Sequence, residues 1–173
     1  MDATALFLDR SRHYLAVEYP TKIRRCLDVL PSRAVWLRED EQSNSIGNLL
    51  LHLAGNVRQW IISSVGGALD SRHRRGEFEA RDGDDVEALF AALRRTLDEA
   101  DAVIASLTPE TLLERRTIQS RDVSVLEAVY HVVEHFALHT GQIVLLTKLH
   151  APGRIRFYED AGGLAIPRWS EHA

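Results

Sequence analysis

Apolar positions recur along this chain at the three-and-four spacing of an α-helix, in four long stretches. The first extends from about Ala3 to Leu30, with Leu6, Leu15, Ile23, Leu27 and Leu30 at helical spacing. Pro20 lies inside it and predicts a kink or break near Tyr19, because proline lacks an N–H and crowds the preceding turn. The second extends from about Asn44 to Ser64, with Ser43, Asn44 and Ser45 as N-cap candidates and Gly66-Gly67 as the stop. The third extends from about Asp84 to Leu107, opened by Asp84-Asp85, whose charges suit the positive end of a helix dipole. Thr108-Pro109-Glu110-Thr111 reads as a cap followed by a first-position proline of a short helical turn. The fourth extends from about Ser124 to His150, with Ser124 and Glu127 in capping-box register and Pro152-Gly153 at its end. No sustained two-residue alternation bounded by hairpin turns is present, so no strand is expected. This pattern predicts an all-α fold, a four-helix bundle with long connections. The connections 66–83 and 151–173 are long for a bundle, a length that tends to mark functional or mobile segments.

The 173 residues carry no repeat, low-complexity tract or linker, which predicts one domain over 1–173 with an irregular tail from about 151. With 21 Lys+Arg against 25 Asp+Glu, the formal charge of −4 argues against a general nucleic-acid binder. No apolar run approaches the roughly 20 residues of a membrane span, and the N-terminus lacks signal-peptide character. A cytoplasmic protein that does not engage membranes is the expectation. A single cysteine, Cys26, excludes an internal disulfide framework and a cysteine-based zinc site; its place on the first helix suits an apolar filler. Eight histidines stand against that one cysteine, so a metal here would be held by imidazole.

The fourth stretch carries His131, His135 and His139 at i, i+4 and i+8. Each step of four residues advances about 40° around a helix, so the three share one stripe, which Gln142 extends. The opposite face is apolar as well, with Leu126, Val129, Val133, Ala137 and Val144. A helix apolar all round is expected to be buried on more than one side, enclosing the histidines. A buried imidazole must pair its ring N–H, which one core histidine does easily and a row of them does not. Neighbouring histidines at i, i+4 can aim two nitrogens at one ion. The second stretch offers His52 as a candidate third ligand, within a strip of Ser45, Asn48, Asn56, Gln59 and Ser63 that is polar yet uncharged. Solvated helix faces usually carry Lys, Glu and Arg, so this strip suggests a wet internal cavity. Arg58, Tyr130 and Gln142 are weaker candidates for substrate contact, and His13, His73, His150 and His172 receive no role.

Other readings of these residues fail on spacing. His131-Val132-Val133-Glu134-His135 matches the inverted zincin pattern, but that chemistry needs a further acidic ligand downstream, where only Glu159, Asp160 and Glu171 are available. Di-iron bundles place Glu three residues before His, where this chain has Ala128, Val132 and Phe136. No Walker loop, dinucleotide fingerprint or nucleophile elbow is present. The run Arg72-His73-Arg74-Arg75 reads as solvated loop surface, with anionic-substrate binding as the sharper alternative.

The segments N-x-x-x-H-L-x-G-N (Asn48, His52, Leu53, Gly55, Asn56) and E-H-x-x-x-H-x-G-Q-I (Glu134, His135, His139, Gly141, Gln142, Ile143) resemble the DinB/YfiT-like superfamily of metal-dependent bundle proteins. The likeness covers roughly Met1 to His150. It implies that His52, His135 and His139 bind a divalent metal, with zinc and nickel both suited to imidazole. His131, outside that set, is expected to border the site, with Asn48, Asn56, Gln59 and Gln142 lining the cavity or orienting the ligands. It implies a homodimer formed by helix packing, and relatives that act as S-transferases on low-molecular-weight thiols. Three neutral ligands leave the charge of the ion uncancelled, which favours activation of water or a thiol. The leading expectation is therefore a metal-dependent transferase or hydrolase. The alternative is a non-catalytic metal-binding dimer or a module that binds a small ligand.

Overall fold

The computed structural model describes residues 2–83 and 85–168. It is mainly helical, with four long helical rods and two small hairpins. The first rod comprises α1 (Ala3–His13), a π-helical stretch (Tyr14–Glu18) and α2 (Tyr19–Asp28), without interruption. The break expected at Pro20 is absent. The wider π turn carries the chain across, with the Tyr19 N–H donating to Tyr14 O. The carbonyl that an ordinary residue 20 would have bonded, Ala16 O, instead accepts from Arg94 Nη1 at 2.6 Å. A side chain 78 positions away thus supplies the donor that proline lacks.

The second rod joins α3 (Ile46–Val57) to a π-helical stretch over Arg58–Val65. Ser45 is its N-cap and forms a reciprocal box with Asn48. A short helix, α4 (Arg74–Glu79), lies within the connection that follows. The third rod is α5 (Val86–Ala105), capped by Asp85, which accepts from Ala88 N at 2.8 Å. Asp84, the other half of the expected pair, lies outside the described residues, as do Glu171 and His172. Thr108 and Thr111 cap α6 (Pro109–Leu112), with the proline at its first position. The fourth rod, α7 (Val125–His150), starts from the Ser124–Glu127 box.

Packing follows the apolar stripes. Leu89, Leu93, Leu97, Ala100 and Ile104 of α5 are buried against α3, whose Leu49, Leu53 and Val57 are also buried. Val125, Ala128, Val129, Val132, Phe136 and Ile143 form the buried stripe of α7, which meets α2 and α3. Arg12 of α1 clamps Asp101 of α5 in a two-pronged pair at 2.7 and 2.8 Å. Cys26 is fully buried and its thiol is pushed up to about 11 by that burial, which makes it a packing residue.

Three further expectations need correction. First, strands do form. β1 (Arg115–Ile118) pairs with β2 (Arg121–Ser124) across Gln119-Ser120, both at positive φ, and β3 (Tyr158–Ala161) pairs with β4 (Leu164–Pro167) across Gly162-Gly163. The second hairpin replaces part of the irregular tail expected from 151, and its two glycines supply the positive φ that a two-residue turn requires. Second, the connection 66–83 is partly helical and folded onto α3. Third, α7 is not buried on more than one side within one chain. Leu126, Tyr130, Leu138, Leu145 and Leu149 are exposed. Among the described residues, no helix is long and apolar enough to cross a membrane.

Candidate metal centre

His52 sits midway along α3, and His135 and His139 lie one turn apart on α7, where the two rods pack. The ring nitrogens converge. His52 Nε2 lies 3.0 Å from His135 Nε2, which lies 3.1 Å from His139 Nε2. The three ligand atoms are all within 4.8 Å of one another. His52 is buried, and the other two are half-buried.

Protons can be placed from the partners. The Glu77 carboxylate lies 2.8 Å from His52 Nδ1, so that nitrogen donates and Nε2 carries the lone pair. Arg72 Nη2 also lies 3.1 Å from this nitrogen, but the charged carboxylate can only accept, so the shorter contact at 2.8 Å requires the proton on Nδ1. His139 Nδ1 donates to Gln142 Oε1 at 2.6 Å, which again leaves a lone pair on Nε2. Two lone pairs therefore point at His135 Nε2, which has at most one proton to give. Without a shared cation, one of the two close contacts sets lone pair against lone pair. His135 Nδ1 is buried without a hydrogen-bond partner. Burial, reinforced by the neighbouring His139 and His52, holds the His135 imidazole down to about 3. Burial also lowers His139, against the bond from Gln142. His135 and His139 thus favour the neutral form, the one that ligates a metal.

The donor set fits a divalent cation. Nitrogens 2.0–2.1 Å from a tetrahedral ion are roughly 3.3 Å apart, close to the 3.0 and 3.1 Å that separate His135 from His52 and His139. Ligating histidines typically donate their other N–H to a carboxylate or carbonyl, as His52 and His139 do here.

Behind His52 stands a buried network that residue spacing does not reveal. Arg72, with its side chain only 2% exposed, grips Glu77 through Nε at 2.7 Å and Nη2 at 2.9 Å. Burial alone would raise the Glu77 carboxyl, but the bonds from Arg72 and His52 outweigh it and hold it below the usual carboxylate range. Arg72 Nη1 donates to Gln59 Oε1, and the Gln59 amide donates to Asp70. Gln119, at the tip of the first hairpin, donates to the same Gln59 oxygen at 2.8 Å. Gly55 makes room for this arrangement, since a Cβ there would lie 2.0 Å from Glu77 Oε1. A mid-helix glycine costs about 1 kcal/mol, so it was the available signal that something presses on that face.

The neutral strip on α3 is therefore not the wall of a wet cavity. The connection 66–83 fills it. Asn48 Nδ2 donates to Glu77 O and Ala80 O, while its oxygen accepts from Arg38, which pins this segment down without touching the three histidines. Asn56 is buried with its oxygen unpartnered and also contacts none of them by hydrogen bond. His131 packs on Trp60 at 4.0 Å and on His135 at 5.5 Å. Arg72, expected as solvated surface, is among the most buried charges here. Phe78 covers the His52 ring at 4.6 Å. Arg58 turns away to Glu99, and Tyr130 is exposed.

Fold and cluster together define a mainly helical protein whose three converging imidazoles can hold a metal ion. Over residues 2–157 the chain matches the family described as a protein of unknown function, DUF1572, and it belongs to that family. A search of curated proteins finds no match to the chain.

Proposed function

We propose that this protein is a divalent-metal-dependent enzyme built as a DinB/YfiT-like four-helix bundle, with His52, His135 and His139 as ligands. The observation that carries this reading is the convergence of three histidine ring nitrogens, at 3.0 and 3.1 Å, on a point where one proton cannot satisfy both contacts. When bound, a cation held by three uncharged nitrogens supplies Lewis acidity and retains an open position, the chemistry that activates water or a low-molecular-weight thiol. Zinc and nickel are the metals this donor set suits. Glu77 and Gln142 orient their histidines and fix the tautomer, and Arg72 holds Glu77 charged.

The reading includes a cytoplasmic homodimer of single-domain chains joined through α7. Supporting it are the exposed Leu126, Tyr130, Leu138, Leu145 and Leu149, with Gly141 among them, where an added Cβ meets nothing in the single chain. A cluster of exposed large apolar side chains on one helix marks an interface, here with Glu127 and Glu134 among them.

The test is an S-transfer assay with several thiols and electrophiles, and an ester-hydrolysis assay, with and without added Zn²⁺ or Ni²⁺. Metal-dependent turnover that His135→Ala abolishes is expected. Metal binding without turnover in either assay would favour a non-catalytic metal-binding dimer instead.

A further inference from the structure

A cavity of about 980 Å³ is lined by no residue of the histidine site. Its charged lining is Arg24, Arg25, Arg94, Arg154, Arg156 and Arg168, with Asp28 the one acidic residue among them. These arginines come from α2, α5 and the segment after α7, which the fold brings around one concavity. Such concentration is unexpected in a chain of net charge −4.

Among the described residues, the carboxylates nearby do not cancel it. Asp28 and Glu87 pair with Arg24, Asp98 with Arg94, and Glu159 with Arg168. Arg25 is different, because its guanidinium donates to the backbone carbonyls of Arg156 and Arg168. A carbonyl fixes a guanidinium in place without neutralising it. Arg154 and Arg156 are exposed and have no carboxylate within ion-pair distance among the described residues. Two guanidiniums are also braced on rings, Arg24 over Phe90 at 5.2 Å and Arg25 over Phe157 at 5.7 Å. The cavity thus carries a positive excess at Arg25, Arg154 and Arg156, of which Arg25 is held in place, and a concave wall predominantly of one sign focuses that field on whatever enters.

We infer that this cavity binds a phosphorylated ligand bearing at least two phosphoryl charges. Planar guanidinium forks match phosphate oxygens two at a time, and arginine from three separate elements suits a charge spread over more than one phosphoryl group. The volume exceeds what the phosphates fill and leaves space beside Phe90 and Pro20 for an apolar or ring-bearing remainder. The phosphoryl groups belong either to a soluble metabolite or to a lipid headgroup.

Calorimetric titration with inorganic tripolyphosphate tests the inference. Saturable binding is expected, weakened by at least on the order of tenfold in Arg154→Gln/Arg156→Gln, two exposed positions whose change leaves the fold intact. Arg75→Gln/Arg121→Gln removes the same charge away from the cavity and should leave affinity within about twofold. Binding should persist in His135→Ala, which separates it from chelation at the metal centre. Capture by phosphatidylcholine vesicles containing a phosphoinositide, competed by tripolyphosphate and lost in Arg154→Gln/Arg156→Gln, assigns the phosphate to a lipid. Tripolyphosphate binding without vesicle capture assigns it to a soluble ligand. No saturable binding, equal weakening by both double variants, or loss in His135→Ala overturns the site.

Discussion

Replacing Gly55 with alanine separates the site's architecture from ordinary helix energetics. On propensity alone this change in a helix interior stabilises by about 1 kcal/mol. The structure predicts the reverse. The new methyl would lie 2.0 Å from Glu77 Oε1 and 2.9 Å from its Cδ. A flexible carboxylate could normally swing aside, but this one is held by two bonds from Arg72 and one from His52, all at 2.7–2.9 Å. Displacing it leaves the buried Arg72 without its counter-charge and His52 without its acceptor. Breaking a buried pair costs about 3–5 kcal/mol, so the net effect of Gly55→Ala is a loss of about 2–4 kcal/mol. The same displacement frees the His52 ring, and losing such a support weakens metal binding by roughly 10- to 100-fold. Urea unfolding of metal-free protein, followed by circular dichroism, measures the first quantity, and a metal titration measures the second. A variant as stable as the wild type or more so, with undiminished metal affinity, would refute the claim that Glu77 is fixed where it supports His52.

Other outcomes follow from the same geometry. The His135 imidazole is neutral down to about 3 in the folded chain, whereas the unfolded chain protonates it near the ordinary 6.5. Metal-free stability should therefore lose nothing above about pH 6.5 and fall as pH drops toward 3, by no more than about 1.4 kcal/mol per pH unit from this group. Urea midpoints for wild type and His135→Gln at about pH 8 and about pH 5 check it; parallel declines would remove His135 as the cause. Arg94→Met should cost about 1 kcal/mol by stripping the donor from Ala16 O, and a Pro20→Ala background, which restores a backbone N–H, should reduce that cost. Leu138→Glu places a charge on the exposed face of α7 and should convert a dimer into a monomer by sedimentation velocity without unfolding the chain; an unchanged dimer would move the interface elsewhere.

How much of this was legible in sequence depends on whether the cause was local. Ser45, Thr108 and Ser124 announce their helices because a cap acts within three residues, and the buried stripes of α5 and α7 follow from spacing alone. His135 and His139 share a face for the same reason. The remaining features depend on residues distant in sequence. Tyr19 and Pro20 continue a helix because Arg94 reaches Ala16, and the polar strip of α3 is neutral because Arg38, Arg72 and Glu77 arrive from elsewhere to satisfy it. Arg72 was indistinguishable from the exposed Arg74 and Arg75 beside it, since only the fold selects which one turns inward. The first hairpin turns on Gln119 and Ser120, which lack the glycine that marks such turns, whereas Gly162-Gly163 carried that mark.

The central claim is that three imidazoles on two helices hold one metal ion. Native mass spectrometry, with elemental analysis of protein loaded with Zn²⁺ or Ni²⁺ and then desalted, measures it directly. The wild type should retain one equivalent per chain, His52→Ala and His135→Ala should retain none, and His131→Ala should retain the wild-type amount. Metal retained equally by wild type, His52→Ala and His135→Ala would contradict the account.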